Sequence, residues 1–417
     1  MTPEKILNKT AGAVWLLLLF FLVACSPALA GFSDMFAVSD DIGAMKLPRF
    51  GMSRILVLNA SGSRGGESAP LYGGFFSNDL DSDTFRSYWY INSVARYDTR
   101  VYEIDADTQL NRPGECEPGG DCREWREFVE AALLELSGSG MLDLRRFDVN
   151  GLGNMPDGWL DGVIVVTGGV EGVIPVVADE QAAAVAGDLR LGAFLVAGAG
   201  AGREEILRGF AVLLGFKELE GTDGRGGIAL SLMGKSAGRM PMLDAYSRLR
   251  AGWANPVVVD DRPSEIFLVP ARTSGEVYVI GGDKEYFLLE NRGAAMGMDE
   301  DLGPAGVAIY RVFDTALKKW ALEGKPGDGF DVWSPPVMNF WPDGSYPVQA
   351  GKYFRPEKGL FRDGDSLVPD YGFQNPLSDD DHPLNSNYLD GEPSDIAIWE
   401  IDTRTHYPLI SVNIGKD

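Results

Sequence analysis

Apolar residues arrive along this chain in short blocks whose spacing separates strands from helices. Ser53-Arg54-Ile55-Leu56-Val57-Leu58 is nearly continuous in apolar character and is followed by Ser61-Gly62-Ser63-Arg64-Gly65-Gly66, which predicts a strand ending in a loop. Asp161-Gly162-Val163-Ile164-Val165-Val166 repeats the form, and an unalternated apolar run of this length predicts a strand buried on both faces. Residues 125–136 differ, since Phe128, Ala131, Ala132 and Leu134 recur at helical spacing. Between the first strand and this helix, residues 83–104 carry the clusters Tyr88-Trp89-Tyr90 and Val101-Tyr102-Glu103-Ile104. A Gly/Ala-rich approach from Leu189 leads to Arg203-Glu204-Glu205, then to an apolar stretch over 206–214, with Gly215 as the stop of a buried helix. Acidic residues in a first turn suit the positive end of the helix dipole. Past Trp253 the period shortens: residues 266–269, 277–280 and 286–290 alternate like strands and predict a β-rich region from about residue 260. Residues 323–381 are crowded with Pro, Gly and Asp and predict long loops.

Composition narrows this reading. A chain of 417 residues has room for two or three domains, and 52 glycines with 24 prolines call for many turns, closer to a loop-rich mixed fold than to a helical bundle. The net charge of -24 sets nucleic acid aside as a partner, because a polyanionic surface repels phosphate backbones. Lys5 and Lys9 precede an apolar stretch of 14 residues, 11–24, too short to span a bilayer and suited to the core of a signal peptide over 1–24. It ends in Leu22-Val23-Ala24-Cys25, which resembles the bacterial lipobox and implies a lipid anchor on Cys25. The alternative is ordinary cleavage after Ala28-Leu29-Ala30, giving a secreted or periplasmic protein. Residues 25–50 then read as a tether. Cys116 and Cys122 flank a Pro118-Gly119-Gly120 turn and predict a small disulfide loop in an oxidising compartment.

Several further segments follow one another in a telling order. Asp148-Val149-Asn150-Gly151 precedes Asp157-Gly158-Trp159-Leu160-Asp161; the predicted helix over 206–214 comes next, and then Ser231-Leu232-Met233-Gly234. Met240-Pro241-Met242-Leu243-Asp244-Ala245-Tyr246-Ser247-Arg248-Leu249-Arg250-Ala251-Gly252-Trp253 follows, then Tyr286-Phe287-Leu288-Leu289-Glu290-Asn291-Arg292 and Gly303-Pro304-Ala305-Gly306-Val307-Ala308-Ile309-Tyr310. The tail runs from Leu384-Asn385-Ser386-Asn387-Tyr388-Leu389-Asp390-Gly391 into 396–401 and 410–414. In this order the segments resemble the immune inhibitor A type of secreted bacterial metallopeptidase, over roughly residues 52–415. The resemblance implies an α/β (α+β) zincin-like metallopeptidase domain over 51–258, with Met233 in a methionine turn, followed by a β-rich C-terminal domain over 259–417.

The departure falls on the chemistry. Members of that family carry His-Glu-x-x-His ahead of a Leu-Gly stop, because histidines four apart on a helix present two nitrogens to one zinc while the glutamate activates its water. Aligned on Leu214-Gly215, these positions hold Arg208, Gly209 and Val212, and the chain's two histidines, His382 and His406, lie far away. Glu218 stands at the third-ligand position, where one carboxylate does not hold zinc. The expectation is therefore no zinc, no proteolysis and a protein or peptide ligand in the cleft between the Leu207 helix and the Met233 turn. Two alternatives stand beside it: a hydrolase with a displaced metal site among Glu204, Glu205, Glu218 and Asp223, and a structural envelope protein stabilised by calcium on Asp148, Asn150, Asp157 and Asp161, oxygen ligands of the kind calcium takes. Glu290 and Arg292 read as an ion pair within their strand's surroundings.

Overall fold

The computed structural model describes residues 49–60, 74–80, 83–105, 122–149, 156–168, 170–177, 184–216, 230–234, 240–259, 264–281, 285–293, 306–313, 337–339, 360–363, 396–404 and 407–414, with 47, 72, 113, 219, 298, 299, 365, 367 and 394. All of these fall within one compact unit, Asp41–Asp417. The signal-peptide segment and Cys25 lie outside the described residues, as do Cys116, Asn150, Glu218, Asp223, His382 and His406. The fold is mixed α/β, with several sheets and few helices.

The predicted first strand is β1 (Gly51–Asn59), which lies parallel between β2 (Tyr97–Asp105) and β3 (Val163–Thr167). The sheet continues beyond β3, where two strands, β4 (Val173–Val177) and β7 (Ala193–Gly198), complete the order β2-β1-β3-β7-β4, with β4 as an antiparallel edge. A two-stranded ribbon of β5 (Ala184–Ala186) and β6 (Leu189–Arg190) joins them in sequence. The apolar runs lack alternation because both faces are covered. On one face Leu56, Leu58, Val163, Val165, Phe194 and Val196 share a core with Trp125, Val129 and Leu133 of a helix spanning Arg123–Gly138. On the other, Ile55, Leu195 and Val173 meet the helix spanning Arg203–Leu213.

Among the described residues the helices are, in chain order, α1 (Phe85–Asn92), α2 (Arg123–Gly138), α3 (Arg203–Leu213), α4 (Ala245–Arg250) and α5 (Ala271–Ser274), with a 3-10 turn at Leu144–Phe147. The Tyr88-Trp89-Tyr90 cluster belongs to α1, where Thr84 and Ser87 close a reciprocal capping box. Val101-Tyr102-Glu103-Ile104 belongs to β2. Several strands lay hidden from the sequence pattern, β7 among them. β7 sits in the Gly/Ala-rich approach to α3, and its alanines and glycine carry little strand propensity. It forms because all six of its residues are buried between β3 and β4.

The β-rich region holds two further sheets. One runs β13 (Val337–Asn339), β12 (Gly306–Phe313), β11 (Glu285–Arg292), β10 (Glu276–Gly281) and β8 (Asn255–Val258), so this sheet begins before residue 259. The other pairs β14 (Ile396–Asp402), β15 (Leu409–Ile414) and β9 (Ser264–Phe267). Ile280, Leu289 and Ile309 from the first share a core with Ile398, Ile410 and Val412 from the second.

Candidate functional site

The helix α3 runs back beneath the five-stranded sheet and stops where the sequence predicts. Leu214 N–H bonds Phe210 O at 3.0 Å, Phe216 N–H bonds Ala211 O at 3.0 Å, and Gly215 takes φ +91°, a left-handed turn that favours glycine. Its buried face is Ile206, Leu207, Gly209, Phe210, Ala211 and Leu213. Phe210 sits 4.9 Å from Phe85 and 5.4 Å from Trp89 between ring centroids, which ties α3 to α1. A stripe of Glu204, Arg208 and Val212, spaced four apart, stays partly open to solvent.

The three positions aligned with the zinc motif meet different fates. Arg208 donates from Nη2 to the carbonyl of Gly234 at 2.6 Å and reaches Glu204 Oε1 at 3.5 Å. The guanidinium thus spans α3 and the turn that holds Met233, a fixed cation on the face where a divalent ion would need anionic ligands. Gly209 points at the sheet, and a Cβ placed there would lie 2.6 Å from Val173 Cγ1 and 2.7 Å from Leu195 Cδ1. A side chain at 209 requires the side chains of Val173 on β4 and Leu195 on β7 to move aside. Val212 adds an apolar surface to the stripe. Leu207 and Met233 are both fully buried, and the part of the helix open to solvent is the 204–208–212 stripe.

The Met233 turn is held by polar groups that the sequence reading did not single out. Ser231 Oγ donates to Asp244 Oδ2 at 2.6 Å and accepts from Met233 N–H at 3.1 Å. Asp244 also caps α4, accepting from Ser247 N–H at 2.7 Å. Burial raises the Asp244 carboxyl above its ordinary range, against the hydrogen bonds from Ser231 and Ser247. From α1, Tyr88 Oη donates to Pro241 O at 2.7 Å and Asn92 Oδ1 accepts from Leu243 N–H at 2.7 Å.

The β-rich region contributes a buried charge network. Glu290 binds Arg248 of α4, lies 3.6 Å from Arg292, and accepts from Tyr310 Oη at 2.7 Å. Arg292 pairs with Asp299 at 2.6 Å and donates to the carbonyl of Leu230. The expected Glu290 and Arg292 ion pair is therefore present, within a larger set. The signal for it was available: charged residues inside an otherwise apolar strand must find partners when buried.

Among the aspartates set aside for calcium, each described one bonds backbone N–H groups. Asp148 accepts from Asp157 N–H at 2.8 Å and Gly158 N–H at 3.0 Å, Asp157 from Trp159 N–H at 2.9 Å, and Asp161 from Arg54 N–H at 2.8 Å and Val149 N–H at 3.0 Å. Asp161 is 1% exposed. Burial pushes it up to about 7, with Asp148 and Asp157 adding to the rise and the two backbone bonds opposing it. Among the described residues, no group of three or more His, Cys, Asp or Glu is arranged to hold a metal ion. Glu205 Oε2 accepts from Gly202 N–H at 2.8 Å and so caps α3. Cys122 is disulfide-bonded, its partner outside the described residues. No described helix is long and apolar enough to cross a membrane.

No protein-family model matches this chain, and no curated protein is similar to it.

Proposed function

We propose that this chain is a non-hydrolytic protein on a zincin-like scaffold of the immune inhibitor A type, one that acts by binding protein or peptide. The observation that carries the reading is Arg208, whose guanidinium occupies the first zinc-ligand position and is bonded across to Gly234 O. The neighbouring base position has no room for a side chain, since a Cβ at Gly209 would already press on Val173 and Leu195. The scaffold itself is supported by how the motif segments come together: α3 stops at Gly215, and Leu219 N–H bonds Met233 O at 2.8 Å just beyond it. Ligand contact falls on the Glu204, Arg208 and Val212 stripe, because the space behind it is packed.

The protein works at the cell envelope in this reading, exported and anchored through lipid on Cys25. A disulfide at Cys122, which we assign to Cys116, suits an oxidising compartment. The aspartates at 148, 157 and 161 serve as loop braces, their oxygens bonded to backbone N–H groups.

Metal analysis of the purified protein, run beside casein and gelatin cleavage and a peptide array, tests this. Binding without zinc or cleavage is the expected result. Stoichiometric zinc together with hydrolysis would refute it, and calcium-dependent melting without peptide binding would favour a structural envelope role.

A further inference from the structure

The contact that ties the α3 stripe to the Met233 turn depends on residues far away in the chain. Gly234 O, the acceptor of Arg208, belongs to the described stretch 230–234, and this stretch and residues 240–242 are each gripped from the β-rich region. On the first, Arg292, the last residue of β11, donates to Leu230 O; on the second, Asp299 Oδ1 accepts from Met242 N–H at 3.1 Å. The two gripping side chains are bonded to each other through both carboxylate oxygens, at 2.6 and 2.7 Å from Arg292 Nη2. Behind them, Tyr310 Oη accepts from Arg292 at 3.1 Å and donates to Glu290 at 2.7 Å.

Backbone conformation supplies a second observation. Met240 takes φ +42° and Asp299 takes φ +53°, left-handed values that residues other than glycine adopt only where their surroundings hold them. Strain therefore sits on both sides of the Met242 and Asp299 jaw. Charge-assisted hydrogen bonds in a dry interior are strong enough to impose it.

We propose that the β-rich region is a latch on the turn beside the α3 stripe, holding residues 230–234 and 240–242 through the Arg292 and Asp299 pair so that Gly234 O stays against Arg208. This rests on the reading of that stripe as the ligand-contact face, and it names what fixes the shape of the face. Releasing the pair frees these two stretches while the five-stranded sheet, whose core lies elsewhere, remains folded.

Hydrogen exchange by mass spectrometry on the full chain tests the latch, with Asp299→Asn as the principal variant and Tyr310→Phe as a milder one should the first fail to fold. Exchange at residues 230–234 and 242–244 is expected to quicken about ten-fold or more in D299N, the effect of losing one charge-assisted hydrogen bond, and less in Y310F. Amides of β1, β3 and α2 keep wild-type rates. Unchanged protection at 230–234 with loosening confined to β11 and β12 would overturn the latch, as would uniform quickening across every segment. Zinc uptake by the wild-type protein would sink the non-hydrolytic reading and leave this exchange pattern standing.

Discussion

Gly209→Ala separates a packed helix face from an open one. The added methyl would lie 2.6 Å from Val173 Cγ1 and 2.7 Å from Leu195 Cδ1, against an ordinary carbon contact of about 3.5–4.0 Å, so something must move by about 1 Å. Overpacking of this kind costs about 1–3 kcal/mol, and removing an interior helix glycine gives back about 1 kcal/mol. The net expectation is a loss of about 1 kcal/mol. Gly209→Glu, the change that would reinstate the catalytic base, adds a buried carboxylate to the same collision, and a buried unpaired charge costs several kcal/mol more. Urea unfolding followed by tryptophan fluorescence reads both, since Trp89 packs 5.4 Å from Phe210 on α3. A gain of about 1 kcal/mol for G209A, as at a solvent-facing helix glycine, would refute the packing of this face against β4 and β7.

Two further predictions use the buried charges. Asp161 keeps its proton to about 7 when folded but loses it near 3.8 when unfolded, so the folded state binds more protons between these values. The contribution of Asp161 to stability is fully present below pH 3.8, is lost as pH rises to about 7 and is level above, and at 1.36 kcal/mol per pH unit the loss approaches about 4 kcal/mol. Asp161→Asn should flatten that slope in urea midpoints, and parallel pH curves for the variant and wild type would count against it. Glu290→Gln leaves Arg248 and Arg292 short of compensating charge in the interior and should cost about 3–5 kcal/mol in thermal or denaturant unfolding. A loss under about 1 kcal/mol would mean that solvent reaches the network.

Legibility differed sharply between elements. β1, β3, α2 and α3 could be read directly because their apolar spacing matches their period, and Gly215 marks a stop that backbone sterics alone require. β7 could not, since its alanines and glycine blur the strand signal of Phe194 and Val196 and its place comes from burial between neighbours. Arg208, Gly209 and Val212 were placed by alignment, yet the partners of Arg208 and the crowding at Gly209 were invisible. Both depend on a carbonyl and two side chains brought in from other elements.

The sequence by itself determined that zinc lacks its histidine pair, because a chain whose two histidines lie at 382 and 406 cannot place them four apart on any helix. It also set the order of the elements and which runs are buried on both faces. Only the tertiary structure decided that this helix face is bridged to the Met233 turn by an arginine bonded to Gly234 O, and that Ser231, Asp244, Arg292 and Asp299 hold the turn supplying that acceptor. The reason is physical: a period in the sequence reports the local geometry of one element, whereas a buried charge is tolerable only when partners from distant segments arrive together.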